Sequence, residues 1–183
     1  MTREEALASI EANVENRNLI NHMLATEAIM RALARRLGED EGEWGITGLL
    51  HDIDVELTEG DPDVHSRLGA DLAKELGASD RMAYAILCHN EAHGIPREAL
   101  LDKALFCADP LTGLITAAAL VLPDKKLSSL TTRSLLKRFG EKRFAAGANR
   151  EQIALSSEIG LELQDFLALG LEAMKGIAGE LGL

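Results

Sequence analysis

The most informative residues of this sequence are histidines and aspartates that stand among apolar residues. His51 and Asp52 are adjacent and follow two leucines, and four of the five histidines fall on the apolar faces of four separate predicted helices. Neutral imidazole and carboxylate are ligands that divalent transition metals accept, and converging helices can each direct one ligand at a common centre. The candidate metal ligands are His22, His51, Asp52, His65, His89 and Asp109.

Asp109 supports this interpretation because it interrupts a nearly apolar run from residue 104 to residue 122. An isolated buried carboxylate is costly, and a bound cation is one of few ways to offset that cost. A single histidine on an apolar face is more often a hydrogen-bonded core residue, but four of them beside Asp52 and Asp109 favour a shared site. His93, next to Gly94, is better explained by a contact with a helix C-terminus.

Helices must position these side chains, and the composition agrees. Aromatic residues make up only 3% of the chain, while alanine, leucine, glutamate and arginine are abundant, which favours an all-α fold. Thr2 and Glu5 form a capping-box pattern that opens a first helix. Apolar periodicity and caps predict further helices over residues 18–37, 43–51, 61–77, 79–94 and 102–122, and one or two amphipathic helices within 151–183.

Two local features bear on how these helices pack. Gly45 and Gly48 would let neighbouring helices approach closely, because they carry no side chain. Pro110 leaves two alternatives open: it kinks the helix that contains Asp109, or it starts a new helix with Asp109 as the cap.

The charge of the chain limits its partners. The net charge of −11 repels polyanions and predicts no nucleic-acid partner, and the apolar run is interpreted as a buried core helix, with no membrane partner. Residues 124–150 carry +6 and the remainder carries −17. We therefore expect a metal-binding helical core over residues 1–123, with the basic segment and C-terminal helices of residues 124–183 packed on the same domain.

The expected compartment is the cytoplasm. Cys88 and Cys107 lie among apolar residues, and the first residues lack the apolar core of a signal peptide. A homodimer formed through the C-terminal helices is a further possibility that no sequence signature supports.

The ordered ligand set resembles the HD (histidine–aspartate) superfamily of metal-dependent phosphohydrolases, in particular its small prokaryotic predicted hydrolases. The resemblance runs through His22, the Leu-Leu-His-Asp-Ile stretch at 49–53, His65, His89 and the pair at 108–109, and it covers most of the chain. It implies an all-α helical bundle with a C-terminal helical extension.

The resemblance also implies roles for the ligands. His22, His51, Asp52 and Asp109 would bind a first metal, and His65 and His89 match the two extra histidines of dinuclear members. Asp52 would then bridge two divalent ions, drawn from Fe, Mn, Co, Ni or Zn. The implied activity is hydrolysis of a small phosphate ester or nucleotide by metal-activated water. A di-iron oxygenase and a non-catalytic module that binds metal or nucleotide are the alternatives.

Further residues are candidates for catalysis or substrate binding. Asp54 could accept a proton from the attacking water or hold a histidine ligand, or it could be a solvated loop carboxylate. Thr112 could donate to a phosphate oxygen or bond to its own helix. The candidate phosphate-binding cations are Lys103, Arg133, Lys137 and Lys142, whose alternative is a solvated amphipathic surface.

Overall fold

A computed structural model describes all 183 residues, and helices are its only regular secondary structure. Ten α-helices and three short 3₁₀-helices account for 68% of the chain, which confirms the all-α prediction. The α-helices are α1 (Arg3–Asn13), α2 (Arg17–Leu37), α3 (Glu41–Leu50), α4 (Arg67–Glu75), α5 (Asp80–Cys88), α6 (Leu100–Leu120), α7 (Thr132–Gly140), α8 (Arg150–Ala154), α9 (Leu163–Gly176) and α10 (Ala178–Leu181). The 3₁₀-helices are Glu91–His93, Leu127–Ser129 and Leu155–Ile159.

Helix α2 lies at the centre of the bundle. It packs against α3, α6 and α9, and its apolar residues Met23, Ile29 and Leu33 are fully buried. Gly38 ends the helix in the left-handed conformation, as expected of a glycine at this position. One hydrophobic cluster extends from Ala6 in α1 to Leu181 in α10. The division of the chain at residue 123 stays a prediction.

Helix α6 is the most apolar element. It is long and apolar enough to cross a membrane by composition alone, but 67% of its most apolar window is buried inside the protein. It continues through Pro110, so Asp109 lies within one helix and does not cap a second one. Because proline has no N–H, the ladder of α6 lacks one hydrogen bond directly beside Asp109.

The predicted helix over residues 61–77 is wrong in its first part. Residues 61–66 form turns, and α4 begins only at Arg67. Ser66 has a φ of 68°, a left-handed conformation that cannot continue a right-handed helix. His65 therefore lies in a turn ahead of α4. Helix α5 also ends earlier than predicted, because Asn90 has an extended backbone.

Gly48 in α3 packs directly against the backbone of α2. A Cβ atom there would lie 2.9 Å from Met30 Cγ and 3.0 Å from the Thr26 carbonyl oxygen. We expect Gly48→Ala to lower the free energy of unfolding by about 1–3 kcal/mol, because the Thr26 backbone cannot move aside without repacking. Urea denaturation monitored by circular dichroism measures this change in the free energy of unfolding.

The matched control is Gly113→Ala in α6, where an added Cβ atom meets nothing within 4 Å. This control is expected to stabilise the protein by up to about 1 kcal/mol, because alanine is the better helix former. Equal unfolding free energies for the two variants would contradict the close-packing interpretation.

The two cysteines are free and buried. Burial raises the pKa of each thiol to about 12. Both thiols therefore stay protonated at neutral pH and behave as small apolar side chains.

Candidate metal centre

Two helix ends, one turn and the interiors of two helices bring the six candidate ligands to a single centre. His51 and Asp52 directly follow α3, and His89 directly follows α5, so their side chains emerge where the helices stop. The other ligands come from α2, from the turn before α4 and from α6, and they are His22, His65 and Asp109 respectively. Local helix termination therefore determines where half of the site lies.

The first group of ligand atoms surrounds His22. Its Nε2 atom lies 3.1 Å from His51 Nε2, 3.3 Å from Asp52 Oδ2 and 3.2 Å from Asp109 Oδ1. His51 is fully buried, whereas Asp109 is 31% exposed, so this group opens to solvent on the Asp109 side.

The second group shares Asp52. Its other oxygen, Oδ1, lies 3.5 Å from His65 Nε2 and 3.4 Å from His89 Nε2. Asp52 therefore directs one oxygen at each group. His51, Asp52 and His89 form one triplet with ligand atoms within 4.8 Å of one another, and His22, His51 and Asp109 form the other.

The hydrogen bonds of the imidazoles identify which ring nitrogens are free to bind. The Nδ1 atoms of His51, His89 and His65 lie 2.8, 2.5 and 2.8 Å from Gly48 O, Ile86 O and Asp54 Oδ1 respectively. Carbonyl and carboxylate oxygens only accept hydrogen bonds, so each Nδ1 carries the hydrogen. In the neutral imidazole each Nε2 then has a free lone pair. All three lone pairs face the centre.

The contacts of Thr112 indicate that Nδ1 of His22 also carries a hydrogen. The Thr112 hydroxyl donates to the carbonyl of Asp109 at 2.8 Å, so its oxygen accepts from His22 Nδ1, also at 2.8 Å. The geometry favours the prediction that Thr112 bonds to its own helix over the prediction that it donates to phosphate. Its contact with His22 is a role that the sequence did not indicate.

The resulting arrangement fits a metal ion. Four imidazole Nε2 atoms and two carboxylates converge, and the two carboxylates repel one another unless positive charge lies among them, as a proton on His22 or as a metal cation. Imidazole and carboxylate form the donor set that Fe, Mn, Co, Ni and Zn accept.

The electrostatics of the centre also favour positive charge. Burial disfavours the charged form of His22, but hydrogen bonds and charge from Asp109 and Asp52 outweigh it and raise the pKa of His22 to about 10. Burial alone would raise the pKa of Asp52 and of Asp109, yet the surrounding histidines hold both values below the ordinary range. Both carboxylates are therefore ionised at neutral pH.

Asp54 lies outside the ligand set and supports it. The side chain is fully buried, which makes the solvated-loop alternative wrong. Oδ1 contacts His65 Nδ1, while Oδ2 accepts hydrogen bonds from the backbone N–H groups of Ser66 and Gly69 at 2.7 and 2.8 Å. These contacts suit a residue that orients His65, and a role for Asp54 as proton acceptor stays a prediction.

The centre opens into a cavity of about 450 Å³. Residues that the sequence did not indicate also line it, namely Val55, Gly60, Asn90, Glu91 and Gln152. Gln152 in α8 donates a hydrogen bond to Glu91 at 2.9 Å. No local pattern connects Gln152 with the histidines, so only the tertiary fold reveals it.

The predicted phosphate-binding cations do not line this cavity. Lys103 lies 3.9 Å from Glu158, and Arg133, Lys137 and Lys142 are exposed on the surface. His93 is also outside the centre: its Nε2 atom lies 2.8 Å from the carbonyl oxygen of His65. His93 therefore helps to hold the turn that carries His65.

Comparisons with known proteins agree with this geometry. The family model described as HD domain matches residues 19–118. Ribonuclease Y of Oleidesulfovibrio alaskensis is 33% identical over 98 residues, covering 54% of this chain and 18% of that protein. Ribonuclease Y of Syntrophobacter fumaroxidans is 28% identical over 167 residues, covering 90% of this chain and 32% of that protein.

The chain thus spans less than a third of the length of these two relatives. No solved structure matches it. The names of the relatives contradict the exclusion of nucleic acid that was based on net charge, and that prediction is wrong. Net charge averages over the whole surface, whereas binding of a polyanion depends on where the cations lie.

Proposed function

Because this chain belongs to the HD domain family, with 100 of its residues matched by the family model, we propose that it is a metal-dependent phosphohydrolase that cleaves phosphodiester bonds in RNA. The observation that carries the proposal is the convergence of four imidazole Nε2 atoms and two carboxylates in one solvent-open centre. The relatives named Ribonuclease Y support RNA as the substrate class.

The ligands divide between two ion positions. His22, His51, Asp52 and Asp109 would hold one ion, and Asp52, His65 and His89 would hold the second. Divalent ions at these positions would supply a water nucleophile of lowered pKa and neutralise charge on the phosphate oxygens.

The chain's own residues have three tasks in this reaction. The hydrogen bonds at Nδ1 hold each imidazole ring with Nε2 directed at the centre, so that no ligand must rotate before it binds. His22, whose pKa is raised to about 10, would release a proton as an ion binds. Asp54 and Thr112 orient His65 and His22. The fully buried His51 and Ile53 lie on the inner side of the centre, which opens on one side to the cavity that Gln152 lines and, at His22 and Thr112, to a second cavity.

The test is cleavage of a 5′-labelled RNA 12-mer by protein reconstituted separately with Mn²⁺, Fe²⁺, Co²⁺, Ni²⁺ or Zn²⁺. We expect at least one ion to support cleavage and EDTA to abolish it. An activity screen with nucleotides and phosphate monoesters shows whether smaller esters are also hydrolysed. Oxygen consumption with Fe²⁺ and no hydrolysis with any ion would contradict the proposal and favour the oxygenase alternative.

A further inference from the structure

The cations of this protein are unevenly distributed and unevenly paired. The basic segment, residues 124–150, carries +6, whereas the rest of the chain carries −17. Outside the basic segment, most cations form ion pairs with carboxylates. Within it, the only ion pair joins Arg138 to Glu141.

Six cations of the basic segment are exposed and form no ion pair: Lys125, Lys126, Arg133, Lys137, Lys142 and Arg143. Unpaired surface cations on an acidic protein keep their full attraction for an external anion, because no internal carboxylate competes for them. Each such cation that contacts a phosphate of a nucleic-acid backbone adds to the affinity by releasing a condensed counterion.

Hydrogen bonds from one arginine hold the loop at the end of the basic segment. Arg150, the first residue of α8, donates hydrogen bonds to the backbone carbonyls of Ala145 and Ala148 at 2.7 and 2.6 Å, and also to that of Phe144. These bonds fasten the loop that presents Lys142 and Arg143. A fixed loop binds an anion with less loss of conformational entropy than a flexible one.

The segment also lies next to the cavity of the metal centre. Gln152 lines that cavity, and the preceding residues Arg150 and Glu151 line a neighbouring cavity together with Lys142. Helices α7 and α8 both pack on α6, the helix that supplies Asp109. Two adjacent residues of α8, Glu151 and Gln152, therefore line the two cavities, and this order gives a direction from the metal centre towards Lys142.

We propose that the exposed cations of the basic segment form a track that binds the backbone of an RNA strand whose next phosphodiester lies at the metal centre. This inference rests on the proposed function for its direction, but the track itself binds RNA without metal and without cleavage. It explains how a chain of net charge −11 can hold a polyanion.

The test measures RNA binding alone. Fluorescence anisotropy with a 5′-fluorescein RNA 12-mer, in EDTA, compares the wild type with the double variant Lys142→Gln/Arg143→Gln. The logarithm of the binding constant falls linearly with the logarithm of the salt concentration. For a single strand each cation contact contributes about 0.7 to the steepness of this line, so the line of the double variant should be less steep by about 1.4. Its Kd should rise about tenfold or more at 0.1 M salt, as follows from that slope.

The control removes two cations elsewhere, in Arg36→Gln/Lys74→Gln. Arg36 lies about 21 Å along α2 from His22, at 1.5 Å per residue, and Lys74 lies in α4. The control should bind RNA with the wild-type Kd. Equal weakening in both double variants, or wild-type binding by Lys142→Gln/Arg143→Gln, would overturn the track.

Two further outcomes separate the proposals. RNA binding that depends on Lys142 and Arg143 without cleavage by any metal form supports the track and contradicts the proposed hydrolysis. A DNA 12-mer should show the same loss of salt dependence in Lys142→Gln/Arg143→Gln, because the track contacts phosphates, and a loss confined to RNA would contradict binding through the backbone. Because both substituted side chains are exposed, circular dichroism should show wild-type folding in both double variants.

Discussion

His51→Ala is expected to empty the metal centre and to lower the rate of phosphodiester cleavage by about 10³-fold or more, since metal catalysis supplies several kcal/mol and each 1.4 kcal/mol is tenfold. The reason is geometric. His51 Nε2 lies 3.4 Å from Asp52 and 3.9 Å from Asp109, and His51 belongs to both ligand triplets. No other side chain is fully buried and also directed at both groups.

The measurement is metal content by mass spectrometry after dialysis, together with cleavage of the RNA 12-mer. Wild-type protein is expected to hold about two ions per chain, as the two ligand groups imply. Asp52→Asn has nearly the same volume as the wild-type side chain, so a parallel loss of metal in that variant would separate loss of a ligand from loss of packing.

A matched histidine control is His93→Gln, which alters a histidine outside the ligand set and keeps a side-chain donor for the His65 carbonyl. This control should retain the metal. Full metal content in His51→Ala would refute the proposed site directly.

Asp54→Ala is expected to weaken the second ion position by about 10- to 100-fold, the usual cost of losing a partner that orients a ligand. Asp54 holds His65 through Nδ1 and also fastens the backbone of Ser66 and Gly69. Without the carboxylate, the left-handed backbone at Ser66 loses its hydrogen bond to Asp54, and His65 can rotate away from the centre. The first ion position contains no ligand that Asp54 contacts, so its affinity should change little.

Calorimetric titration with Mn²⁺ or Co²⁺ measures the affinity of each ion position separately. Glu56→Gln is the control, because Glu56 lies two residues after Asp54 and contacts no ligand. Its carboxylate accepts hydrogen bonds from the backbone N–H groups of Glu15 and Asn16. If Asp54→Ala lowered both affinities equally, or neither, a specific effect on His65 would be excluded. Thermal unfolding of both variants reports any general loss of stability.

Apolar periodicity predicted the helices that carry His22 and Asp109, because a ligand on the buried stripe of a long helix must face the core. It failed at His65. The turn before α4 depends on a left-handed residue and on a carboxylate twelve positions earlier in the chain, Ser66 and Asp54. Neither requirement leaves a periodic pattern in the sequence.

The sequence also could not predict how the surface cations are paired and placed. The composition could show that residues 124–150 are basic, but it could not show that most of these cations lack an internal partner. It also could not show that Arg150 fastens the loop beside α8. Pairing and placement are tertiary properties, and they decide whether an acidic protein can hold a polyanion.

Asp52 serves both ligand groups with one carboxylate, and this has a thermodynamic consequence for ion loading. A single negative charge divided between two ions makes their affinities interdependent. Whatever factor the first ion imposes on the affinity of the second, the second must impose on the first. The protein would then have distinct empty, singly loaded and doubly loaded states, whose proportions are set by the free ion concentration.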